Sequence, residues 1–235
     1  MSHRLATFSI AARDPATGML GVAASSKAFS VGSLCPFVAA GVGAVATQAW
    51  VNPYLGTAVL GLLAGGLAAE DALKRALADD PRPDLRQLNV VDALGRSATY
   101  TGSGTDAWCG GRSGPDYALA GNILVSEATV EAMERTYAAG VGGDLADRLI
   151  AVLEAGQEAG GDSRGRQSAA VIVANRTIIP YLDLRVDDHP DPVAELRRLY
   201  NVAARDDREF LLFQLRLSSV VGSYEGPEQD RRAPA

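Results

Sequence analysis

The stretch Thr7-Phe8-Ser9-Ile10-Ala11-Ala12-Arg13-Asp14-Pro15-Ala16-Thr17-Gly18-Met19-Leu20-Gly21-Val22-Ala23-Ala24-Ser25-Ser26 decides the fold. Leu5 to Ala12 is an apolar, strand-like run. Asp14 to Gly18 gathers the residue types of a tight turn, and Met19 to Ser26 is a second run of small apolar residues, so the segment reads as a β-hairpin. If the turn closes with Arg13 opposite Met19 or Leu20, facing positions sum to 32 or 33 and Thr7 stands across from Ser25 or Ser26. Side chains alternate faces along a strand, so a slip of one residue changes which of them meet Thr7.

Outward from this hairpin, Gly41 to Ala49 predicts a third, buried strand. A helix starts near Pro53, with Tyr54, Leu55, Ala58, Val59, Leu62 and Leu63 on one stripe, and Ala69 to Ala78 continues as a second helix. Leu88 to Val91 and Ser97 to Thr101 flank Asp92-Ala93-Leu94-Gly95, a second hairpin signal. Trp108 to Asp116 reads as a Gly-rich loop and Tyr117 to Val125 as a strand. Ser126 and Asp144 are placed to cap two helices, one carrying Val130, Met133 and Tyr137, the other Leu145, Leu149, Val152 and Leu153. A polar loop from Gly160 to Arg166 precedes two strands, Gln167 to Ala174 and Leu182 to Val186. Asp191-Pro192 offers an N-cap and an N1 proline for a helix through Tyr200. No internal repeat is present. The order of strands, two helices, strands, two helices, strands and a helix predicts an α+β chain of two antiparallel sheets covered by helix layers, rather than regular βαβ alternation.

Composition excludes several classes. The 235 residues carry 22 Lys plus Arg against 28 Asp plus Glu, a net charge of −6, and only two of the cations are lysines, Lys27 and Lys74. No basic run is available for a nucleic-acid backbone or an anionic membrane, so neither is an expected partner. The stretch between Lys27 and Glu70 is uncharged, but Pro36 and Pro53 interrupt it, and its cleanest piece, Tyr54 to Ala69, is shorter than the roughly 20 apolar residues of a spanning helix. The first residues hold no apolar signal-peptide run, and Cys35 and Cys109 stand apart without CxxC spacing, so the chain reads as a cytoplasmic protein without a disulfide scaffold.

Generic catalytic motifs are missing: no G-x-S-x-G, no Walker loop, no H-E-x-x-H and no dinucleotide glycine fingerprint. Of the two histidines, His3 sits at the terminus. His189 lies in Asp187-Asp188-His189-Pro190-Asp191, which reads better as a strand end turning into a helix than as a metal site, because consecutive strand residues point to opposite faces. No metal or cofactor is therefore expected. A threonine at a free N-terminus can act as nucleophile with its own α-amine as base, which removes the need for histidine. Thr7 has the position at the head of a strand, provided the Ala6-Thr7 bond is cut; otherwise it is an ordinary strand threonine.

The segments Thr7 to Asp14 with Pro15, Thr17 and Gly18, then Gly21-Val22-Ala23 with Ser26-Lys27, Gly41 to Ala49, Gly121-Asn122, Gly160-Gly161-Asp162 with Arg164-Gly165 and Gln167 to Ala170, and Leu184 to His189 with Asp191-Pro192 resemble a bacterial family filed as a domain of unknown function and described as N-terminal-nucleophile (Ntn) hydrolase-like. The likeness covers about residues 5 to 200. It implies a four-layer αββα sandwich of two antiparallel sheets, with Thr7 in the nucleophile's position. In the function that follows from it, a small-molecule amidohydrolase acts on a linear or cyclic C–N bond. Thr7 attacks the carbonyl, Ser26 and Lys27 orient it or lower its pKa, and Asn122 or a nearby backbone N–H holds the oxyanion. Gln48 and Asn52 line the substrate pocket, with Asp162, Arg164 and Gln167 at its rim. Without cleavage Lys27 has to serve as base, or the fold is silent, a ligand-binding or assembly module. The expected organisation is a domain over residues 1–204, an apolar extension over 205–225 and a flexible tail over 226–235. Phe210, Leu211, Leu212, Phe213, Leu215, Leu217, Val220 and Val221 predict self-association into a homodimer or higher homo-oligomer through that extension.

Overall fold

A computed structural model describes residues 4–140, 143–206 and 208–219. The chain opens with a two-residue strand β1 (Arg4–Leu5), then the hairpin β2 (Thr7–Arg13) and β3 (Leu20–Ser26). Of the two predicted registers, the one placing Arg13 opposite Leu20 and Thr7 opposite Ser26 is found. The turn explains the choice. Asp14 N donates to Met19 O at 2.8 Å, Asp14 Oδ2 accepts from Thr17 Oγ1 at 2.6 Å, and Gly18 supplies a φ of +76° that a side chain would resist.

There follow β4 (Pro36–Ala39), β5 (Gly43–Trp50), α1 (Pro53–Ala64), α2 (Ala69–Ala78), β6 (Arg86–Asp92), β7 (Ser97–Thr101), β8 (Gly110–Gly114) and β9 (Tyr117–Gly121). Next come α3 (Ala128–Ala138), α4 (Leu145–Glu158), β10 (Ser168–Ala174), β11 (Leu182–Val186), α5 (Pro192–Asn201), a π-helical turn Val202–Asp206 and α6 (Arg208–Ser219). Every strand pairing is antiparallel. One sheet has six strands in the order β11-β10-β3-β2-β9-β8, the other has β1-β5-β6-β7 with β4 also on β5.

Alternation along the strands sorts the core. Phe8 and Ile10 of β2 and Leu119 of β9 pack under α3 and α4 with Met133, Leu149 and Leu153. The opposite face of the same sheet, with Ala11 of β2, Val22 and Ala24 of β3 and Ala118 of β9, meets Ala44, Ala46 and Val91 of the other sheet. Val45, Leu88 and Val90 then face Val59, Leu63 and Leu73 of α1 and α2. The inner faces are rich in alanine, which lets the sheets approach closely.

Four local expectations are corrected. Tyr54 is 82% exposed rather than part of the α1 stripe, which is Leu55, Val59 and Leu63. The presumed loop Trp108 to Asp116 contains β8, whose three glycines weaken any propensity signal but which is held as an edge strand by β9. Strand character beyond it ends at Gly121, because Ile123 takes a φ of +52° and turns the chain. Neither Ser126 nor Asp191 caps by side chain: α3 starts from Glu127, and the Asp191 carboxylate pairs with Arg166 at 3.1 Å. Asp144 does cap α4, accepting from Asp147 N at 2.9 Å. The apolar extension is helical over Arg208–Ser219, and Val220, Val221 and the expected tail over 226–235 lie outside the described residues. Among the described residues no helix is long and apolar enough to cross a membrane.

Candidate active site

The chain changes sheets at one residue. β1 pairs with β5, Leu5 facing Ala49 and Arg4 facing Trp50, whereas Thr7 begins β2 in the six-stranded sheet, so Ala6 is the crossover. Ala6 and Thr7 are fully buried. Both of their carbonyls are held. The Ala6 carbonyl accepts from Ser26 Oγ in a short hydrogen bond and from Arg164 Nη2 at 3.4 Å. The Thr7 carbonyl accepts from Gln48 Nε2 at 3.2 Å and from the backbone N–H of Asn122 at 3.0 Å. Because Thr7 and Ser9 share a strand face and Ser9 Oγ donates to Gln48 Oε1 at 2.6 Å, the Thr7 side chain lies on the side facing the other sheet.

The guanidinium that reaches Ala6 is aimed by the loop after α4. Gly160 and Gly161 take φ of +123° and +62°, folding the chain back so that Leu124 bridges Asp162 and Val125 N donates to Gly161 O at 3.0 Å. The Asp162 carboxylate, 1% exposed, then accepts from Lys27 N at 2.9 Å, Arg164 N at 3.0 Å, Arg164 Nε at 3.1 Å and Arg164 Nη2 at 2.9 Å. A buried carboxylate with four donors is a satisfied one, and its work here is to hold Arg164 in place. Gln167 closes the loop, donating from its backbone to Ser26 O at 3.1 Å and from Nε2 to Asp188 Oδ1 at 3.1 Å.

Between the sheets a polar cluster supports the Thr7 carbonyl. Gln87 Oε1 accepts from both Gln48 Nε2 and Asn122 Nδ2 at 2.8 Å, and Gln87 Nε2 donates to Gly121 O at 2.8 Å and to Thr101 Oγ1 at 2.9 Å. Asn89 Nδ2 reaches Ser9 O at 3.2 Å. Sequence reading singled out Gln48 and Asn122 but not Gln87 or Asn89. The signal was there, since Arg86 to Asp92 alternates polar Gln87 and Asn89 with apolar Leu88 and Val90. Such alternation ordinarily places the polar face in water; here that face is buried against the second sheet.

Two predicted residues stand apart from this geometry. The Lys27 side chain is exposed, makes no ion pair among the described residues and runs past Gly165. Asn52 caps α1, accepting from Tyr54 N at 3.2 Å, and donates to Asp80 Oδ2 at 2.7 Å, so its side chain is spent on structure. Asp187, Asp188 and His189 diverge: Asp187 accepts from Ser30 Oγ at 2.8 Å, Asp188 holds Gln167, and His189 Nδ1 accepts from Asp191 N at 3.0 Å. Cys35 is buried beside Gln48, and burial pushes its thiol up to about 12, which keeps it protonated and unsuited to attack.

The arrangement therefore presents one buried threonine hydroxyl, the carbonyl before it with two donors, and the carbonyl after it with two more. A crystal structure of SPO2555 from Silicibacter pomeroyi, assigned to DUF1028, is similar: it is 33% identical, the likeness covers 89% of this chain and 93% of that one, and the TM-score is 0.79. No curated protein matches. Residues 7–196 match a family model described as a family of unknown function, DUF1028, and the matched span begins at Thr7 itself. That span is well over half of the chain, which thus belongs to the DUF1028 family.

Proposed function

We propose that this chain is an Ntn-type amidohydrolase on a four-layer αββα sandwich, with Thr7 as nucleophile once the Ala6-Thr7 bond is cut. The observation that carries the reading is the Ala6 carbonyl between Ser26 Oγ and the Arg164 guanidinium, directly before the Thr7 hydroxyl. Donors aimed at a carbonyl oxygen stabilise the negative charge that grows there on attack. Thr7 Oγ1 adds to the Ala6 carbonyl carbon, the C–N bond breaks, and the nitrogen takes the proton and becomes the free α-amine. Water then hydrolyses the ester and releases residues 1–6 as a carboxylic acid. In turnover the same amine accepts the hydroxyl proton and hands it to the leaving amine of a small amide, linear or cyclic. Gln48 and Asn122 fix the Thr7 backbone, and Asp162 aims Arg164. Residues 1–6 lie outside the family match, in keeping with a segment that is discarded.

Intact mass of the purified full chain tests this. The expected mass is that of a chain starting at Thr7; Thr7→Ser also cuts, while Thr7→Ala stays whole and lacks amide turnover. A wild-type chain that remains full length without Thr7-dependent turnover overturns the reading. In that case the buried threonine belongs to a silent ligand-binding or assembly module.

A further inference from the structure

We infer that Gln87 is a positioning residue for the Thr7 nucleophile: one oxygen of its carboxamide holds both residues that fix the Thr7 carbonyl, and so sets how the Thr7 hydroxyl stands to the Ala6 carbonyl. The inference rests on the reading of Thr7 as nucleophile and adds to it a residue that acts through two others. The Thr7 carbonyl accepts from Gln48 Nε2 at 3.2 Å and from Asn122 N at 3.0 Å. Gln48 Nε2 has a second proton and Asn122 has a side-chain amide, and both donate to Gln87 Oε1 at 2.8 Å. The two donors to Thr7 are thereby referred to a single atom.

That atom is itself fixed. Gln87 lies directly across from Gln48 in the β5–β6 pair and from Thr101 in the β6–β7 pair, and its fully buried side chain crosses to the six-stranded sheet. There Gln87 Nε2 donates to Gly121 O at 2.8 Å and to Gly110 O at 3.2 Å, and within its own sheet to Thr101 Oγ1 at 2.9 Å. A carbonyl oxygen accepts and never donates, so a flipped carboxamide would set oxygen against two carbonyls and turn an N–H towards Gln48 and Asn122. Only one orientation satisfies every partner. Gln48 is also locked at its other end, where Oε1 accepts from Ser9 Oγ at 2.6 Å, and Ser9 Oγ accepts from Asn89 Nδ2 at 3.2 Å. A buried network satisfied in this way is rigid.

Ser26 and Arg164 hold the carbonyl before Thr7, and Gln87, through Gln48 and Asn122, holds the one after it. Without Gln87 Oε1 both amides have to find new acceptors, and the Thr7 backbone can shift with them. A misplacement of about 1 Å at a reacting group can cost about 10²-fold in rate. The variant Gln87→Glu separates this role from packing, because its carboxyl copies the carboxamide only when protonated. One oxygen then accepts from Gln48 and Asn122, and the O–H replaces Nε2 against the carbonyls. When ionised, it presents negative oxygen to Gly110 O and Gly121 O. The groups bonded to Gln87 are Gln48 of β5, Thr101 of β7, the Gly110 carbonyl of β8, the Gly121 carbonyl of β9 and Asn122, none of which titrates. Cys35, on Gln48 Oε1, is kept protonated by burial. A pH response gained by the variant therefore belongs to the introduced carboxyl.

The test follows intact mass in full chains made by cell-free synthesis, collected in urea and diluted into buffers from about pH 5 to about pH 9, with circular dichroism reporting the fold. Gln87→Met should cut the Ala6-Thr7 bond at least about 10²-fold more slowly than the wild type at every pH. Gln87→Glu should return close to the wild-type rate at about pH 5 and fall to the Gln87→Met rate at about pH 9. The sign follows from burial, which raises a carboxyl's pKa, so the neutral, working form is present at low pH and is lost as pH rises. Gln87→Met cutting as fast as the wild type, or a Gln87→Glu profile parallel to the wild type's, overturns the positioning role and leaves the nucleophile standing. If Gln87→Met does not fold, the Gln87→Glu profile decides alone, since a residue that served packing only would not gain rate over the wild type's own profile on acidification. A wild-type chain that stays whole, or cutting that survives Thr7→Ala, overturns the nucleophile and this inference together.

Discussion

Ser26 Oγ and the Arg164 guanidinium converge on one acceptor, the Ala6 carbonyl, from opposite ends of the sequence, and they do not have equal reach. The arginine contact, at 3.4 Å, lies at the outer limit of hydrogen bonding, so the serine carries more of any charge that develops on that oxygen. Ser26→Ala is accordingly expected to slow cleavage of the Ala6-Thr7 bond by about 10²- to 10³-fold, the usual effect of removing one oxyanion donor. Arg164→Met should slow it less. A time course of intact mass reads both, and an unchanged half-time in Ser26→Ala would remove the serine from the mechanism. The residue level was also where the sequence was least uniform as a guide. Thr7 and Ser26 could be brought together because a hairpin with a good turn has only two plausible registers, whereas Asn122, read inside a strand from Tyr117 to Val125, was singled out by the family resemblance at Gly121-Asn122. Gln87 could not be found, since a polar residue in period 2 looks the same whether its face meets water or a second sheet.

At the level of elements, Asp144 ties three together. Its Oδ1 accepts from Asp147 N at the start of α4 and from Tyr200 of α5 at 3.1 Å, and its Oδ2 accepts from Tyr181, just before β11, at 2.7 Å. Asp144→Ala loses a cap, worth about 1 kcal/mol, and strands two partly buried hydroxyls, so the urea midpoint should report a loss of about 2 to 4 kcal/mol. Asp144→Asn should recover much of it. The tyrosines of this layer also set an alkaline limit. Burial, the largest cause, raises Tyr117 and Tyr137 to about 12, and burial with Asp144 nearby raises Tyr181 and Tyr200 further. With folded values above the ordinary value of about 10, this stability is complete below that pH and is lost as pH rises through 10 towards the folded values. Melting temperature should therefore fall between pH 8 and pH 11, and equal values at the two would contradict the assignment. Elements were legible where apolar spacing was strong, as for α2 and β11, found within their predicted bounds. They were hidden where pairing alone makes the strand, as in Gly110–Gly114.

For the molecule as a whole, α6 raises the question of what covers it. Leu211 packs against the core under the six-stranded sheet and Ser218 is buried, with its carbonyl accepting from Arg176 N at 2.9 Å, so one side of the helix is seated. Phe210, Leu212, Phe213 and Leu215 are 39%, 55%, 45% and 37% exposed, alongside the exposed charges of Glu209 and Arg216. The helix begins beyond residue 196, where the family match ends. Four large apolar side chains on one short helix approach the few hundred Å² that monomers seldom leave exposed, and pairing of two copies about a two-fold axis would cover both faces at once. We predict a homodimer through α6, burying on the order of 1,600 Å² in total. Light scattering should give twice the chain mass at micromolar concentration, and the double variant Leu212→Lys with Phe213→Glu should give one chain mass with an unchanged far-ultraviolet circular dichroism spectrum. A full-length chain that is monomeric at that concentration rules the dimer out. A variant that stays dimeric moves the interface away from α6, since two charges in an apolar interface of that size cannot be buried without partners.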